Sequence, residues 1–192
     1  MGPFFIIFRS LFWPYFNLRC GVFYVYDGDG NIVRSIDISG KKEYNGSGIR
    51  TGKTVNGVLH TYTLDGTKIL RETWGNNTLV PLYDNEDGVC GILYNDAAYY
   101  FYKNLQGDVI EIKNAYGVLV ARYTYDSWGK VISIKNENGL DVANNAAHLG
   151  NVNPFRYRGY YYDAEIGKYY LQSRYYDANT VSLFLLHQFL QN

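Results

Sequence analysis

The chain has 192 residues, enough for one domain with a sizeable core or for one stretch of a repeat array. Its 18 basic and 18 acidic residues give a formal net charge of zero, which argues against nucleic acid or an anionic membrane as a partner. Cys20 and Cys90 lack the spacing of a disulfide framework or a metal site. With 21 Tyr, 10 Phe, 3 Trp and 20 Gly against 1 Met, the composition favours an all-β fold.

The first segment, residues 1–23, is apolar and unlike the middle of the chain. Arg9, Pro14 and Arg19 interrupt it, so no apolar run reaches the ~18 residues that a transmembrane helix needs. The first basic residue, Arg9, follows an apolar run, whereas a secretory signal peptide has the opposite order. We therefore expect an atypical N-terminal segment without a stable membrane span or a convincing export signal.

Residues 24–135 repeat one unit, which consists of an aromatic-rich strand, a turn with Asp or Asn and Gly, and a β-branched strand. Two clear instances are Tyr102–Val109 and Tyr125–Val131. Asp and Asn side chains accept hydrogen bonds from the following backbone and Gly tolerates positive φ, so these turns close tight hairpins. Apolar and polar residues mostly alternate in 108–113 and 130–135, which predicts antiparallel strands with one buried face. Because a single repeat cannot bury its apolar face alone, neighbouring repeats must stack.

Two further segments depart from this pattern. Residues 136–153 are polar and small, which predicts a loop or a short helix near Asp141 to Leu149, with a disordered linker as the alternative. Residues 180–192 form an atypical apolar tail. An alternative for its Ser182 to Leu190 portion is a short helix that covers an open sheet edge, because terminal repeats usually need caps.

The sequence shows no catalytic constellation, metal-ligand spacing or cofactor motif. Its three histidines are far apart: His60, His148 and His187. Two carboxylate pairs have the residue types of glycoside hydrolysis but occupy predicted turns: Asp84 with Asp87, and Asp163 with Glu165. We therefore expect no metal, no cofactor and no enzymatic activity.

Arginine and tyrosine are concentrated at 155–162. At period two, Phe155, Tyr157 and Tyr161 lie on one face of a strand, and Arg156 and Arg158 lie on the other. This pattern favours a core strand with a cross-strand Arg–Tyr ladder. The alternative is a groove that binds a ligand through aromatic and cationic faces.

The order and spacing of four segments carry a family resemblance: 104–109, 123–131, 153–163 (NPFRYRGYYYD) and 169–177 (YYLQSRYYD). With them, residues 24–179 resemble the RHS (rearrangement hotspot) or YD-repeat family, with the start of its repeat-associated core at 154–179. The resemblance covers most of the chain.

The resemblance implies a large bacterial polymorphic toxin or wall-associated protein, secreted or at the cell surface, in which YD repeats spiral into a β-shell. In that family, the core precedes a variable C-terminal toxin, which the shell encloses and delivers. Some members release the toxin by self-cleavage with aspartates downstream of the segment that this chain matches. This chain departs from the family after Asp177, where Ala178-Asn179-Thr180 replaces the expected Pro, Gly and Arg-Phe continuation.

The resemblance also gives the candidate site residues, for which we expect a structural role. They are the residues that match the family's motifs: Tyr125, Asp126, Gly129, Pro154, Phe155, Arg156, Tyr157, Arg158, Gly159, Tyr160, Tyr161, Asp163, Tyr169, Tyr170, Arg174, Tyr175, Tyr176 and Asp177.

Three functional hypotheses follow. The first is a non-enzymatic structural fragment of the shell, whose partners are the rest of the shell and a C-terminal toxin. The second is binding of carbohydrate or a cell surface through exposed Tyr and Arg rows. The third, self-cleavage by an aspartate, is disfavoured because the downstream region of the family pattern is missing. None of them includes nucleic acid as a partner.

Overall fold

The computed structural model describes the backbone of residues 16–19, 22–26, 32–37, 42–172 and 174–185, and the side chains of 42–172 and 174–183. The predictions for 1–15 and 186–192 lie outside the described residues. In the described part of the chain, no helix combines the length and the apolar character needed to cross a membrane.

The first sheet is an antiparallel meander, in which each described strand pairs with its neighbours in sequence. Its strands are β1 (Phe16–Arg19), β2 (Val22–Tyr26), β3 (Ile32–Asp37), β4 (Lys42–Asn45), β5 (Arg50–Val55), β6 (Val58–Asp65), β7 (Lys68–Trp74), β8 (Asn77–Tyr83), β9 (Val89–Tyr94), β10 (Ala97–Lys103), β11 (Val109–Asn114), β12 (Leu119–Tyr125) and β13 (Val131–Lys135). In β12, Ala121 and Tyr123 are buried whereas Arg122 and Thr124 are exposed, so the sheet has an inner and an outer face.

Asn or Asp side chains fix several of the turns. In six turns of the described chain, the side-chain Oδ1 of the first residue accepts hydrogen bonds from the backbone N–H groups two and four residues later. At Asn104 these donors are Gln106 and Asp108, at 3.0 and 2.9 Å. The first residues of the six turns are Asn45, Asp84, Asn104, Asn114, Asp126 and Asn136. The side chain thereby satisfies backbone donors that the turn leaves unpaired.

A second, four-stranded antiparallel sheet follows the first sheet. Its strands are β14 (Tyr161–Asp163), β15 (Lys168–Tyr170), β16 (Arg174–Asp177) and β17 (Ser182–Leu185). Between the two sheets, the chain forms the helix α1 (Leu149–Val152) and a 3-10 turn at Tyr157–Gly159.

The second sheet and α1 pack against the inner face of the first sheet. The ring centroid of Phe155 lies 6.5 Å from that of Phe101 and 5.7 Å from that of Tyr161. In α1, a Cβ added to Gly150 would lie 2.7 Å from Cγ2 of Ile134, so only glycine allows this close approach of helix and sheet. The buried apolar core spans both sheets: Tyr62, Leu79, Ile92, Val109, Ile112, Ala121, Tyr123, Ile134, Leu149, Phe155, Tyr161, Tyr170 and Tyr175.

The predicted all-β class, built of antiparallel hairpins with a short helical segment near 136–153, is confirmed. The prediction of a continuous strand through 155–161 is wrong. Arg158 adopts a left-handed conformation with φ of 53°, and the Gly159 N–H donates to the Arg156 carbonyl at 3.0 Å. The chain therefore reverses at Tyr157–Gly159, and the alternation expected of a strand does not apply there.

Candidate functional site

A charged cluster lies between the two sheets. We call it the Arg50 cluster, and its members are Lys42, Arg50, Lys53, Tyr62, Tyr161, Asp163, Glu165, Tyr170 and Tyr175. It joins β4, β5 and β6 of the first sheet to β14, β15 and β16 of the second.

Arg50 is the centre of this cluster and is only 2% exposed. Its Nη1 donates to Oδ2 of the fully buried Asp163 and, at 3.1 Å, to the hydroxyl of Tyr175. In the described part of the chain, Nε and Nη2 of Arg50 have no hydrogen-bond partner. Three tyrosine rings face the guanidinium instead, with centroids 4.2 to 5.0 Å away: Tyr62, Tyr161 and Tyr170. Three cation–π contacts thus surround a guanidinium in which two nitrogens carry no hydrogen bond.

Lys53 joins the same carboxylate. Its Nζ donates to Oδ1 of Asp163 at 2.7 Å and to Oε2 of the partly exposed Glu165 at 3.2 Å. Nζ of Lys42 lies 4.7 Å from the ring centroid of Tyr175. Both oxygens of Asp163 are therefore bound by cations, which is the condition under which a buried charge is tolerated.

The neighbouring cations decide the charge of Asp163. Burial acts to raise the pKa of this carboxyl, but the charges of Arg50, Lys53 and Lys42 outweigh burial and hold the pKa well below its usual range. Burial acts to lower the pKa of Arg50, and Asp163 raises it well above the ordinary value. The pair is therefore ionised, and its groups are directed at one another rather than at an open site.

A histidine and a buried glutamate continue this network toward the surface. Nδ1 of His60 lies 2.7 Å from Oε1 of Glu72, and the Tyr161 hydroxyl donates to the same carboxylate at 2.9 Å. The His60 ring stacks on Trp74 with centroids 5.1 Å apart. Its Nε2 has no hydrogen-bond partner in the described part of the chain. An imidazole beside a buried carboxylate has the residue types of general acid–base chemistry.

A polar groove of about 480 Å³ opens on another part of the first sheet. It is lined by Asn104, Gln106, Asp108, Ile110, Tyr123, Thr124, Tyr125, Asp126, Ser127, Tyr157 and Arg158. Oδ1 of Asp108 accepts from the Arg158 N–H at 2.9 Å, and Oδ1 of Asp126 caps its own turn. Both carboxylates therefore already accept hydrogen bonds from backbone N–H groups. The described residues contain no group of three or more His, Cys, Asp or Glu arranged to bind a metal ion.

The structure brings only some of the sequence-predicted residues into the Arg50 cluster, namely Tyr161, Asp163, Tyr170 and Tyr175.

A second group packs on the turn between β12 and β13. The Tyr169 hydroxyl donates to the Gly129 carbonyl at 2.7 Å, and the Tyr176 hydroxyl donates to the Trp128 carbonyl at 2.7 Å. The ring of Tyr157 lies 5.9 Å from that of Tyr169 and 6.3 Å from that of Tyr176. These tyrosines fasten the second sheet to the end of the first.

Arg156 and Arg158, adjacent in the sequence motif, have different surroundings. Arg156 is 4% exposed, and it donates to the carbonyls of Asn151 and Asn153 at 3.3 and 3.4 Å. Its guanidinium also lies 4.5 Å from the ring centroid of Tyr162. It therefore binds carbonyls at the end of α1, where a cation is favoured. Arg158 is exposed, with its guanidinium 5.4 Å from the ring centroid of Tyr157.

The other predicted residues are spread over both sheets. Tyr125 donates to the Val109 carbonyl at 2.8 Å, and Pro154 accepts from the Tyr162 N–H at 2.7 Å. Asp177 forms an ion pair with Lys168. Burial acts to raise the pKa of Asp177, but the hydrogen bond from Lys168 leaves it lowered. The rest take no part in the Arg50 cluster: Asp126, Gly129, Phe155, Gly159, Tyr160 and Arg174.

Sequence reasoning missed Lys42, Arg50, Lys53, His60 and Glu72. Arg50 and Asp163 are 113 residues apart, and nothing in the sequence around either residue indicates the other. The available signal was weak: in β6, His60 is two residues from the buried Tyr62, so both lie on the inner face.

The sequence is similar to that of large bacterial nucleases. It is 34% identical over 163 residues to the tRNA3(Ser)-specific nuclease WapA of Bacillus spizizenii, over 80% of this chain and 7% of that protein. The tRNA nuclease WapA of Bacillus subtilis strain 168 gives the same identity and the same two coverages. The tRNA(Glu)-specific nuclease WapA of Bacillus subtilis subsp. natto is also 34% identical over 80% of this chain, and 6% of that protein is covered. The chain thus spans a small fraction of the length of these relatives. No protein-family model matches it.

Two solved structures that contain TccC3 align with the chain. The crystal structure of TcdB2-TccC3 aligns with 82% of this chain and 9% of that chain, at 15% identity and a TM-score of 0.48. The Photorhabdus luminescens Tc holotoxin pore aligns with 86% of this chain and 9% of that chain, at 15% identity and a TM-score of 0.49.

These similarities correct two expectations. The expected non-enzymatic structural function is wrong, and so is the expectation that the chain is not an enzyme, because the relatives at 34% identity are named tRNA nucleases. The expectations for carbohydrate and nucleic acid as partners stay predictions, as do the predicted domain boundaries and the structural roles of the motif residues.

Proposed function

We propose that this chain is a segment of a toxin that cleaves tRNA. The observation that carries the proposal is the 34% identity over 163 residues to three WapA nucleases. The matched region is 6 to 7% of each relative, so the segment corresponds to one part of a much longer protein. The proposal is opposed to the prediction, drawn from the zero net charge, that nucleic acid is not a partner, and the experiments below decide between the two.

Within that toxin, we propose that the segment consists of RHS or YD repeats followed by the start of the repeat-associated core. The repeated Asn or Asp turns support this assignment, because one side-chain hydrogen-bond pattern closes six turns. The motif residues at 154–177 support it as well, because most of them fasten the second sheet to the first.

The segment supplies the toxin with a firmly closed two-sheet unit. Arg50 and Lys53 of β5 bind both oxygens of Asp163 in β14, and the tyrosine rings exclude water from this contact. A buried charge pair that loses one member is strongly destabilised, so the sheets separate only at high cost. Such a unit holds the parts of the toxin on either side of it in a fixed relation.

An exchange of segments tests the proposal. The matched 163 residues of Bacillus subtilis WapA are replaced by their counterpart from this chain, and tRNA cleavage is measured. We expect the chimera to cut tRNA, whereas WapA with that segment deleted serves as the inactive control. A soluble, folded chimera that leaves tRNA intact would refute the proposal.

The 192-residue chain is assayed on total tRNA in parallel. Fragments produced by this chain alone, and lost with His60→Ala, would assign the cleaving residues to the His60–Glu72 pair. Cleavage by the chimera alone would show that the segment works only together with the rest of the toxin.

A further inference from the structure

Two tyrosines on the outer face of the first sheet are not accounted for by the core. Tyr100 and Tyr102 are 46% and 49% exposed and are two residues apart in β10, so both rings lie on the same face. An exposed ring on an ordered strand can stack with a flat partner on a face that no neighbouring side chain covers; Lys113 covers one face of Tyr102.

Basic residues of the neighbouring strands lie beside these rings. Lys113 pairs with Tyr100 across β10 and β11, and its Nζ lies 3.9 Å from the ring centroid of Tyr102. Tyr102 pairs with Glu111, which pairs with Arg122 of β12.

The row continues onto β13, where Lys135 pairs with Arg122. Arg122 is bound to Glu111 at 2.7 Å but is 57% exposed, and Lys135 is exposed and makes no ion pair in the described part of the chain. Three basic groups and Glu111 give this face a formal net charge of +2, whereas the formal net charge of the whole chain is zero. We call it the Tyr100 face: Tyr100, Tyr102, Glu111, Lys113, Arg122 and Lys135.

We propose that the Tyr100 face binds single-stranded RNA, with bases stacked on Tyr100 and Tyr102 and phosphates at Arg122 and Lys135. The proposal rests on the proposed function, since it names the surface that would hold an unpaired loop of tRNA. Sheets that bind single strands combine stacking rings with cations that follow the backbone. Paired RNA hides its base faces, and a neutral saccharide gains little from the excess of cations, so both fit this face less well.

Fluorescence anisotropy with the full chain and a labelled RNA tests the stacking. The probe is a single strand of about 12 nucleotides, within the usual site sizes of such folds. It carries 2′-O-methyl groups, so binding is measured whether or not the protein cuts RNA. We expect Tyr100→Ala and Tyr102→Ala each to weaken binding about tenfold.

Tyr116→Ala is the matched control, because Tyr116 is 92% exposed but lies in the turn between β11 and β12, off this face. We expect its affinity to equal that of the wild type. Tyr102→Leu keeps an apolar side chain without an aromatic ring, and we expect it to bind as weakly as Tyr102→Ala. Unchanged circular dichroism would show that the exposed substitutions leave the fold intact.

Salt dependence tests the cations. For single strands, each phosphate contact contributes about 0.7 to the slope of log affinity against log salt concentration. We expect Arg122→Gln and Lys135→Gln each to reduce the slope by about that amount. Arg174→Gln, an exposed change in β16 of the second sheet, should leave the slope unchanged.

Wild-type affinity in both tyrosine variants would overturn the proposal. So would displacement of the RNA by a neutral oligosaccharide, or tighter binding of a duplex of the same sequence. A WapA chimera that cuts tRNA, together with normal RNA binding by Tyr100→Ala and Tyr102→Ala, would support the proposed function and refute this inference. A chimera that leaves tRNA intact, together with weaker RNA binding by both variants, would support this inference and refute the proposed function.

Discussion

At the scale of single residues, the contact between the sheets depends on Asp163. Its two oxygens bind Arg50 and Lys53, and no part of its side chain reaches solvent. Charges are expensive to bury, and the energy is recovered only when every partner is present. A change at this residue therefore affects both sheets.

We expect Asp163→Asn to lower the free energy of unfolding by about 3 to 5 kcal/mol, because Arg50 becomes a buried charge without a counter-charge and Lys53 keeps only Glu165. Urea unfolding followed by circular dichroism measures this loss. Asp65→Asn, an exposed change in β6, should stay within about 0.5 kcal/mol of the wild type. Equal stability of the Asp163 variant and the control would contradict the account.

Acid should destabilise the protein through the same carboxyl. The folded-state pKa of Asp163 is lowered, so the stability it contributes is present above its unfolded value of about 3.9 and is lost as the pH falls through the folded value. Urea unfolding from about pH 7 down to about pH 2 should show the wild type losing more stability than Asp163→Asn. Parallel pH profiles of the two proteins would rule out this role.

At the scale of elements, the same turn recurs along the meander, but the residues that pack against each turn differ. Gly129 and Gly139 occupy the same position of two such turns, with φ of 89° and 76°. A Cβ at Gly139 would meet nothing within 4 Å, whereas a Cβ at Gly129 would overlap the ring of Tyr157. Substitutions at these two glycines therefore distinguish the backbone requirement of the turn from the packing of Tyr157 against it.

We expect Gly139→Ala to cost about 1 to 2 kcal/mol for the left-handed backbone, and Gly129→Ala to cost about 1 to 3 kcal/mol more for the displaced ring. Thermal or urea unfolding of the two single variants measures the difference. Equal losses would mean that Tyr157 does not pack on this turn.

The elements of the first sheet are largely predictable from sequence. An Asn or Asp three residues before a Gly, as at Asn104 and Asp126, marks five of the six turns that share this hydrogen-bond pattern. The segment at 155–161 is less predictable, because its apolar and polar alternation suits a strand while Arg158 takes a left-handed backbone. That conformation is stabilised by the hydrogen bond from the Arg158 N–H to Asp108, 50 residues earlier.

At the scale of the whole molecule, the second sheet closes over strands that precede it by more than a hundred residues. The sequence of β5, RTGKTV, has no apolar alternation that would indicate that Arg50 and Lys53 are buried or that they face Asp163. The sequence therefore predicts the hairpins and several motif residues, whereas the Arg50 cluster appears only once the chain is folded.

We propose that this closed two-sheet unit serves a toxin that cuts tRNA. The most direct test is tRNA cleavage by the WapA chimera in three forms: unchanged, with Asp163→Asn, and with Asp65→Asn. We predict that the unchanged chimera and the Asp65 variant cleave tRNA alike, and that the Asp163 variant loses most of its cleavage. Equal cleavage by all three forms, or by none of them, would contradict the account.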